Sequence, residues 1–287
     1  MRIAVLGLGL IGGSLAYALE GFSDARRVGF DPDETTRAQA LERGAVDEVV
    51  ITPEECVRDA DLVIYASSPH TIMENMRRTF PLLNDNCIVT EICGVKREMA
   101  EFVSGILPSG VGYCGLHPMA GREVGGFVNA DKNLFRGAGF ILVPASDAEV
   151  DEPMKNAVEL LTALCQHVGA GRIVVNNPDI HDSIIAYTSD LMHISAAALC
   201  DEFMPDMTLA HTAGAFRDCT RVARIDADLW TELLLDNREL ILPHLTRYID
   251  TLTRYADALG LAGQTDAAAL HTLLARSAVN KVEILTR

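Results

Sequence analysis

The first thirty-one residues constrain this chain more than any other segment. Arg2 to Leu6 (RIAVL) is a short apolar run suited to a buried parallel strand, and Ser14 to Glu20 continues as a helix. Between them lies Gly7-Leu8-Gly9-Leu10-Ile11-Gly12, a GxGxxG turn. A second apolar run, Arg27 to Phe30, ends in Asp31, nineteen residues after Gly12. Gly7 permits the tight turn, Gly9 lets a pyrophosphate approach the backbone, and Gly12 lets helix and strand pack closely. The helix N-terminus offers unpaired N–H groups and a partial positive charge. An acid at position 31 accepts ribose hydroxyls. Together these spacings predict a dinucleotide site. Asp33 and Glu34 add negative charge beside Asp31, where a 2′-phosphate would lie, and Arg37 is the one nearby basic residue. NAD is expected over NADP.

The segment also admits a second reading. Ile3 to Leu19 is seventeen residues without a charge, preceded by Arg2 and containing Ala16-Tyr17-Ala18, which resembles an export signal. Four glycines (Gly7, Gly9, Gly12, Gly13) break any apolar helix there and favour the nucleotide site. With 287 residues, 49% hydrophobic and 22% charged, the chain can bury the core of one large domain or two ordinary ones. A net charge of −16 disfavours nucleic acid and anionic membranes as partners, so an anionic ligand needs local donors. Seven cysteines, an odd number without a CxxC pair, argue against a disulfide framework and fit a reducing cytoplasm.

Strand and helix patterns alternate as far as Arg172–Val175, through the apolar runs Asp61–Ala66, Asn86–Ile92, Val111–Leu116 and Gly139–Pro144. Helical stretches fall between them, among them Lys96–Ile106 and Ala148–Val168. Such alternation predicts an α/β fold with a doubly wound, mostly parallel sheet. After Asn176-Asn177-Pro178 the pattern becomes helical throughout, with runs at Asp182–Cys200 and Asp228–Leu259. The expected domains are therefore 1–177, binding the dinucleotide, and 178–287, all-helical. The helical part is apolar on several faces, which predicts packing against a second copy in a homodimer.

Several side chains are candidates for chemistry. His117 follows the strand Val111–Leu116 in His-Pro-Met-Ala-Gly, where an imidazole can serve as general base or simply cap a loop. Ser189 and His193, four apart, share one helix face with Asp182 and Ala186. That face either lines the cleft or carries incidental polar groups at a domain contact. Arg217 and Arg221 lie one helical turn apart, and a guanidinium is a natural carboxylate clamp. Arg217 is expected on the surface, and Trp230, the single tryptophan, in the core. No metal site is expected, since His181, His193 and His211 lack ligand spacing and Cys87, Cys93 and Cys114 are scattered.

Over residues 2–238 the chain resembles the prephenate/arogenate dehydrogenases of tyrosine biosynthesis. The specific pieces are HPMAG at 117–121, AGAFRDCTR at 213–221 and DLWTELLLDNR at 228–238, beside Gly7–Gly12, Thr90–Lys96 and the Ser189/His193 helix. The resemblance implies a Rossmann-type domain followed by a helical dimerisation domain, and NAD-dependent oxidative decarboxylation of a cyclohexadienyl substrate. It implies catalytic roles for His117, Ser189 and His193, the last two also lining the substrate pocket. Arg221 is the implied carboxylate clamp. Prephenate is the expected small-molecule substrate, and arogenate the alternative. Two departures stand out. Gly94 occupies the place of a serine that would orient the histidine, leaving a water or Cys93 to substitute. Asp190 replaces a residue that is often histidine, and helix geometry turns it about 100° from Ser189, toward solvent or a dimer partner. The rival readings are another dehydrogenase with a Rossmann domain and helical dimer domain, such as a β-hydroxyacid dehydrogenase, and a non-catalytic NAD sensor. The first would lack His-Pro-Met-Ala-Gly after the sheet and rest on a different catalytic group, and the second would not need His117, Ser189, His193 and Arg221 together.

Overall fold

A computed structural model describes residues 1–145, 151–202, 204–261 and 263–286. Packing divides the chain into two compact units, Met1–Asn237 and Arg238–Arg287.

The first unit alternates β1 (Arg2–Leu6), α1 (Leu10–Ala18), β2 (Arg26–Phe30), α2 (Glu34–Glu42), β3 (Glu48–Val49), α3 (Pro53–Val57) and β4 (Leu62–Tyr65). It continues with α4 (Pro69–Thr79), β5 (Ile88–Glu91), α5 (Arg97–Ile106), β6 (Gly112–Pro118), β7 (Gly139–Pro144), α6 (Glu152–His167) and β8 (Arg172–Val175). The strands form one eight-stranded sheet in the order β3-β2-β1-β4-β5-β6-β7-β8. Its ladders are parallel except the antiparallel β6–β7 pair. This is the expected Rossmann-type sheet. Strand order reverses between β1 and β4, so a crevice opens at their C-terminal ends, beside Gly7.

Alternate residues of each strand serve opposite faces. Ile3, Val5 and Ile64 pack with Leu15 of α1 and Leu161 and Leu164 of α6. Ala4, Leu6, Val63 and Tyr65 pack with Val57, Ile72, Met76 and Val103 from α3, α4 and α5. With both faces covered, β4 and β5 are buried at every residue. The apolar stretch Ile3–Leu19 is therefore mostly strand, glycine turn and helix, with β1 inside the sheet.

Two boundaries differ from expectation. Helix α1 starts at Leu10, directly on Gly9, rather than at Ser14. Gly12 and Gly13 lie inside it because side chains there would strike Ala66 and Phe127. Strand β6 runs on through His117 and Pro118, because β7 pairs antiparallel with it and holds His117 opposite Ile141. The helix expected at Ala148–Val168 is Glu152–His167, capped by Asp151. Ala148 to Val150 lie outside the described residues.

From Pro178 on, the described residues form helices and no strand: α7 (Pro178–Ile185), a π-helical turn (Ala186–Asp190), α8 (Leu191–Asp201), α9 (Gly214–Thr220) and α10 (Ala227–Asp236). Strand gives way to helix near 177, while the compact unit runs on to Asn237. Pro178–Asp201 is apolar enough by composition to cross a membrane, yet His181, Asp182 and Asp190 on it are buried in polar contacts within this unit. The run expected at Asp228–Leu259 is broken at Asn237 (φ −100°), where α10 ends. The second unit consists of α11 (Arg238–Ala258) and α12 (Ala267–Thr286), with Tyr255 Oη and Ser277 Oγ 3.1 Å apart.

Candidate active site

The glycine turn is built as a cradle. Gly7 has φ +95°, a left-handed conformation only glycine adopts without strain, and a side chain there would overlap the Ala66 carbonyl. A Cβ on Gly12 would overlap the Gly7 carbonyl and lie 2.7 Å from Ala66 Cβ. A Cβ on Gly9 would meet nothing within 4 Å. Gly9 also heads α1 without a side-chain cap, so open space lies against N–H groups that need an acceptor. Asp31, at the end of β2, is drawn to this turn: its Oδ2 accepts the Leu8 N–H at 2.8 Å and its Oδ1 the Asp33 N–H at 3.0 Å. Arg37 donates to the carbonyls of Asp31 and Pro32. Gly7, Gly9, Gly12 and Asp31 thus form one site whose bare helix end and carboxylate suit a dinucleotide.

A second group gathers at the end of β6. His117 Nδ1 lies 2.8 Å from His181 Nε2, and His181 Nδ1 lies 2.6 Å from Asp182 Oδ1. Asp182 accepts the N–H of Lys96 on Oδ1 and of Arg97 on Oδ2, both at 2.8 Å, at the first turn of α5. The Lys96 side chain is buried, with Nζ 2.7 Å from Glu91 Oε1 and 3.2 Å from the Leu116 carbonyl. Burial, the largest single influence, would lower the Lys96 pKa, but the Glu91 carboxylate together with Cys93 and Asp182 outweighs it and the net shift is upward. A side chain at Gly115 would come within 2.7 Å of Glu91 Oε1, so this glycine makes room for the ion pair. Burial first, then His181 and Lys96, holds the His117 imidazole well below its ordinary pKa. It is a neutral base near pH 7. Cys93 does not take the place of the missing serine: its buried thiol donates to the Val95 carbonyl at 2.8 Å, and His181 occupies His117 Nδ1 instead.

The third group lies on α8 and beyond. His193 Nδ1 donates to the Ser189 carbonyl at 2.9 Å, and its ring stacks on Trp230 with centroids 3.5 Å apart. Trp230 is thus a half-buried wall of this site rather than core. Arg221, in the turn after α9, forms an ion pair with Glu123, five residues after Pro118. Burial first lowers the His193 pKa, and Arg221 adds to that effect. Ser189 is half-buried and sits in the π-helical turn, an irregularity frequent at functional sites. Arg217 is exposed.

Asp190 departs from expectation. It faces neither solvent nor a partner, but is 2% exposed and accepts from Asn237 Nδ2 at 2.8 Å. The helix side opposite Ser189 is covered by the end of α10, where Asn237 also donates to the Asp182 carbonyl. Burial pushes the Asp190 carboxyl up to about 6, with Asn237 opposing and Asp182 adding. An acid with a raised folded-state pKa contributes stability below its unfolded pKa, and that contribution is lost as pH rises through about 6. Among the described residues Asn237 Oδ1 is buried without a hydrogen-bond partner. Asp190→Asn removes the charge and supplies an N–H for that oxygen. Urea unfolding is expected to show the variant about 3 kcal/mol more stable than the wild type at pH 8, with most of the gain gone by pH 4. An equal difference at both pH values would show that Asp190 does not titrate in the folded protein.

Asp182 shares the expected helix face of Ser189 and His193, and Glu91 and Lys96 lie within Thr90–Lys96, but no local motif announces His181, Glu123 or the contacts that join these residues to His117. The nearest sequence signal is Gly115, a glycine inside a strand, which marks a close approach.

Comparison with known proteins identifies the family. The family described as prephenate dehydrogenase, nucleotide-binding domain, matches residues 17–190, and prephenate dehydrogenase, dimerization domain, matches residues 177–276. The prephenate dehydrogenase of Bacillus subtilis is 30% identical over 254 residues, covering 86% of this chain and 67% of that protein. The crystal structure of prephenate dehydrogenase from A. aeolicus, in complex with hydroxyphenyl propionate and NAD+, superposes with a TM-score of 0.85 at 25% identity. That match covers 99% of this chain and 98% of the other. Arogenate dehydrogenase of Synechocystis gives 0.79 at 26% identity, over 99% of this chain and all of that one.

Proposed function

This chain belongs to the prephenate dehydrogenase family, and from that premise we propose that it oxidatively decarboxylates prephenate with NAD, as a homodimer in the cytoplasm. The observation that carries the reading is His117: a neutral imidazole at the C-terminal edge of the sheet, its Nδ1 engaged by His181.

Gly7, Gly9, Gly12 and the N-terminus of α1 would hold the pyrophosphate, and Asp31 the adenosine ribose. NAD bound there supplies the hydride acceptor. His117 Nε2 accepts the proton of the ring hydroxyl as the carbon bearing it is oxidised. The new ketone draws electrons from the ring carboxylate, CO2 leaves, and the ring becomes aromatic. Arg221 exchanges Glu123 for a substrate carboxylate, while Ser189, His193 and Trp230 wall the pocket on the α8 side. The helical residues from about 178 onward supply this half of the site and the dimer contact.

Two observations bear on the substrate. Prephenate and arogenate differ where a ketone becomes an ammonium, so a preference for arogenate needs an anion in the pocket. Asp190 is buried against Asn237 and does not supply it, which supports prephenate. Glu123, once Arg221 turns to a substrate carboxylate, is a carboxylate next to the pocket and favours the arogenate reading. NADH formation with the two substrates side by side tests the choice, and a higher specificity constant for arogenate overturns it. Arg221→Ala is expected to raise KM roughly 10- to 100-fold with kcat little changed, the loss of one charged hydrogen-bonded contact made equally before and during the reaction. A fall in kcat at unchanged KM would remove Arg221 from substrate binding.

A further inference from the structure

We propose that His181 is the positioning residue of this site: bridging Asp182 and His117, it fixes the tautomer of His117 and shares the proton His117 collects. The proposal rests on the reading of His117 as the base.

The donors around the pair determine the direction of each hydrogen bond. Both Asp182 oxygens receive backbone N–H groups from the first turn of α5, so the carboxylate acts as acceptor on each. His181 therefore presents Nδ1–H to Oδ1 across 2.6 Å. A neutral imidazole carries one proton, which leaves His181 Nε2 as an acceptor. The 2.8 Å contact with His117 Nδ1 then requires the proton on His117 Nδ1, and the His117 lone pair falls on Nε2. That is the nitrogen a general base needs, and nothing within His117 itself selects it.

The same chain of bonds handles the charge. A protonated His117 is disfavoured by burial and by the Lys96 ammonium, so it needs a counter-charge. When the substrate O–H bond breaks and the proton bonds to His117 Nε2, the proton on His117 Nδ1 can pass to His181 Nε2. His117 is again neutral, and His181 becomes an imidazolium whose Nδ1–H faces Asp182. The proton returns by the reverse path and leaves from His117 Nε2 after product release. His181 and Asp182 are 0% and 2% exposed, so water does not compete for these bonds. The other charged groups against the relay are Lys96 and its partner Glu91, whose charges offset one another 2.7 Å apart. Asp190 adds a further negative charge near Asp182, and Asn237 bridges its carboxylate to the Asp182 carbonyl.

The test joins a spectroscopic arm to a kinetic one. In full-length protein labelled with 15N-histidine, nitrogen–proton correlation spectra near pH 7.5 should show His117 protonated on Nδ1 and bare on Nε2. His181→Leu should lower kcat roughly 10- to 100-fold, within the range of general-base assistance, with KM and NAD affinity within about twofold. His181→Gln should recover part of that loss, because its amide oxygen accepts the Nδ1–H although it carries no proton. A wild-type His117 protonated on Nε2 overturns the proposal, as does a His181→Leu enzyme with unchanged kcat and pH profile. His181→Gln no better than His181→Leu also overturns the positioning role. If His181→Leu fails to fold, the spectrum of the unmodified protein decides. If the protein turns over neither prephenate nor arogenate, the proposed function fails, and the tautomer of His117 still judges the relay.

Discussion

His117→Asn is expected to lower kcat by roughly 10²–10⁴ while leaving NAD affinity nearly intact, the range general acid–base assistance supplies. Asparagine keeps a polar group near His181 but has no titratable nitrogen to receive the hydroxyl proton. The proposed pyrophosphate and ribose contacts lie on β1, α1 and β2, away from the His117 side chain, so NAD affinity serves as the internal control for folding. Unmodified turnover would remove His117 from the chemistry. Loss of NAD binding in parallel with turnover would instead point to a structural role for the ring in the β6–β7 ladder.

The second large effect separates two glycines of one turn. Gly12→Ala forces a methyl group into the Gly7 carbonyl and within 2.7 Å of Ala66 Cβ, both fixed parts of the β1–α1 and β4 packing. Overpacking of this kind destabilises by about 1–3 kcal/mol or more, and the displaced helix end no longer meets the phosphates. Gly9→Ala enters open space, so the melting temperature should stay within about 2 °C. NAD affinity should nevertheless fall about tenfold or more, a difference of roughly 1.4 kcal/mol, because that space is the proposed approach of the pyrophosphate to the backbone. Calorimetry of both variants with and without NAD checks the contrast. A Gly9→Ala protein binding NAD as tightly as the wild type would place the cofactor elsewhere.

The glycine turn of the proposed cofactor site was legible in the sequence because backbone geometry itself demands those residues. Gly7 needs a positive φ, Gly12 has no room for a side chain, and Asp31 ends the next strand. The parallel sheet was legible because strands buried on both faces read as unbroken apolar runs. His117 stood out by its place at a strand end, although the antiparallel partner β7 that keeps it inside the sheet did not. The partners of His117 were hidden. His181 lies 64 positions away on a helix, and neither residue carries a local signature of the contact. Asp190 was turned correctly away from Ser189, but the far side of its helix meets Asn237 instead of water, and helix periodicity cannot tell one from the other. Trp230 fell outside the core for a related reason: hydrophobicity marks a residue for burial without saying that its ring stacks on an imidazole.

The π-helical turn at Ala186–Asp190 makes the helical run from Pro178 to Asp201 an element of two phases. Upstream of it His181 and Asp182 address the sheet and α5; downstream His193 addresses Trp230. A wide turn holds one residue more than the regular spiral, and removing that residue would rotate one half against the other by about 100°. Proton-handling and substrate-holding groups would then lose their mutual alignment with every side chain still present. A substitution along this helix acts on one contact, whereas a single-residue deletion in the wide turn is expected to act on the whole constellation at once.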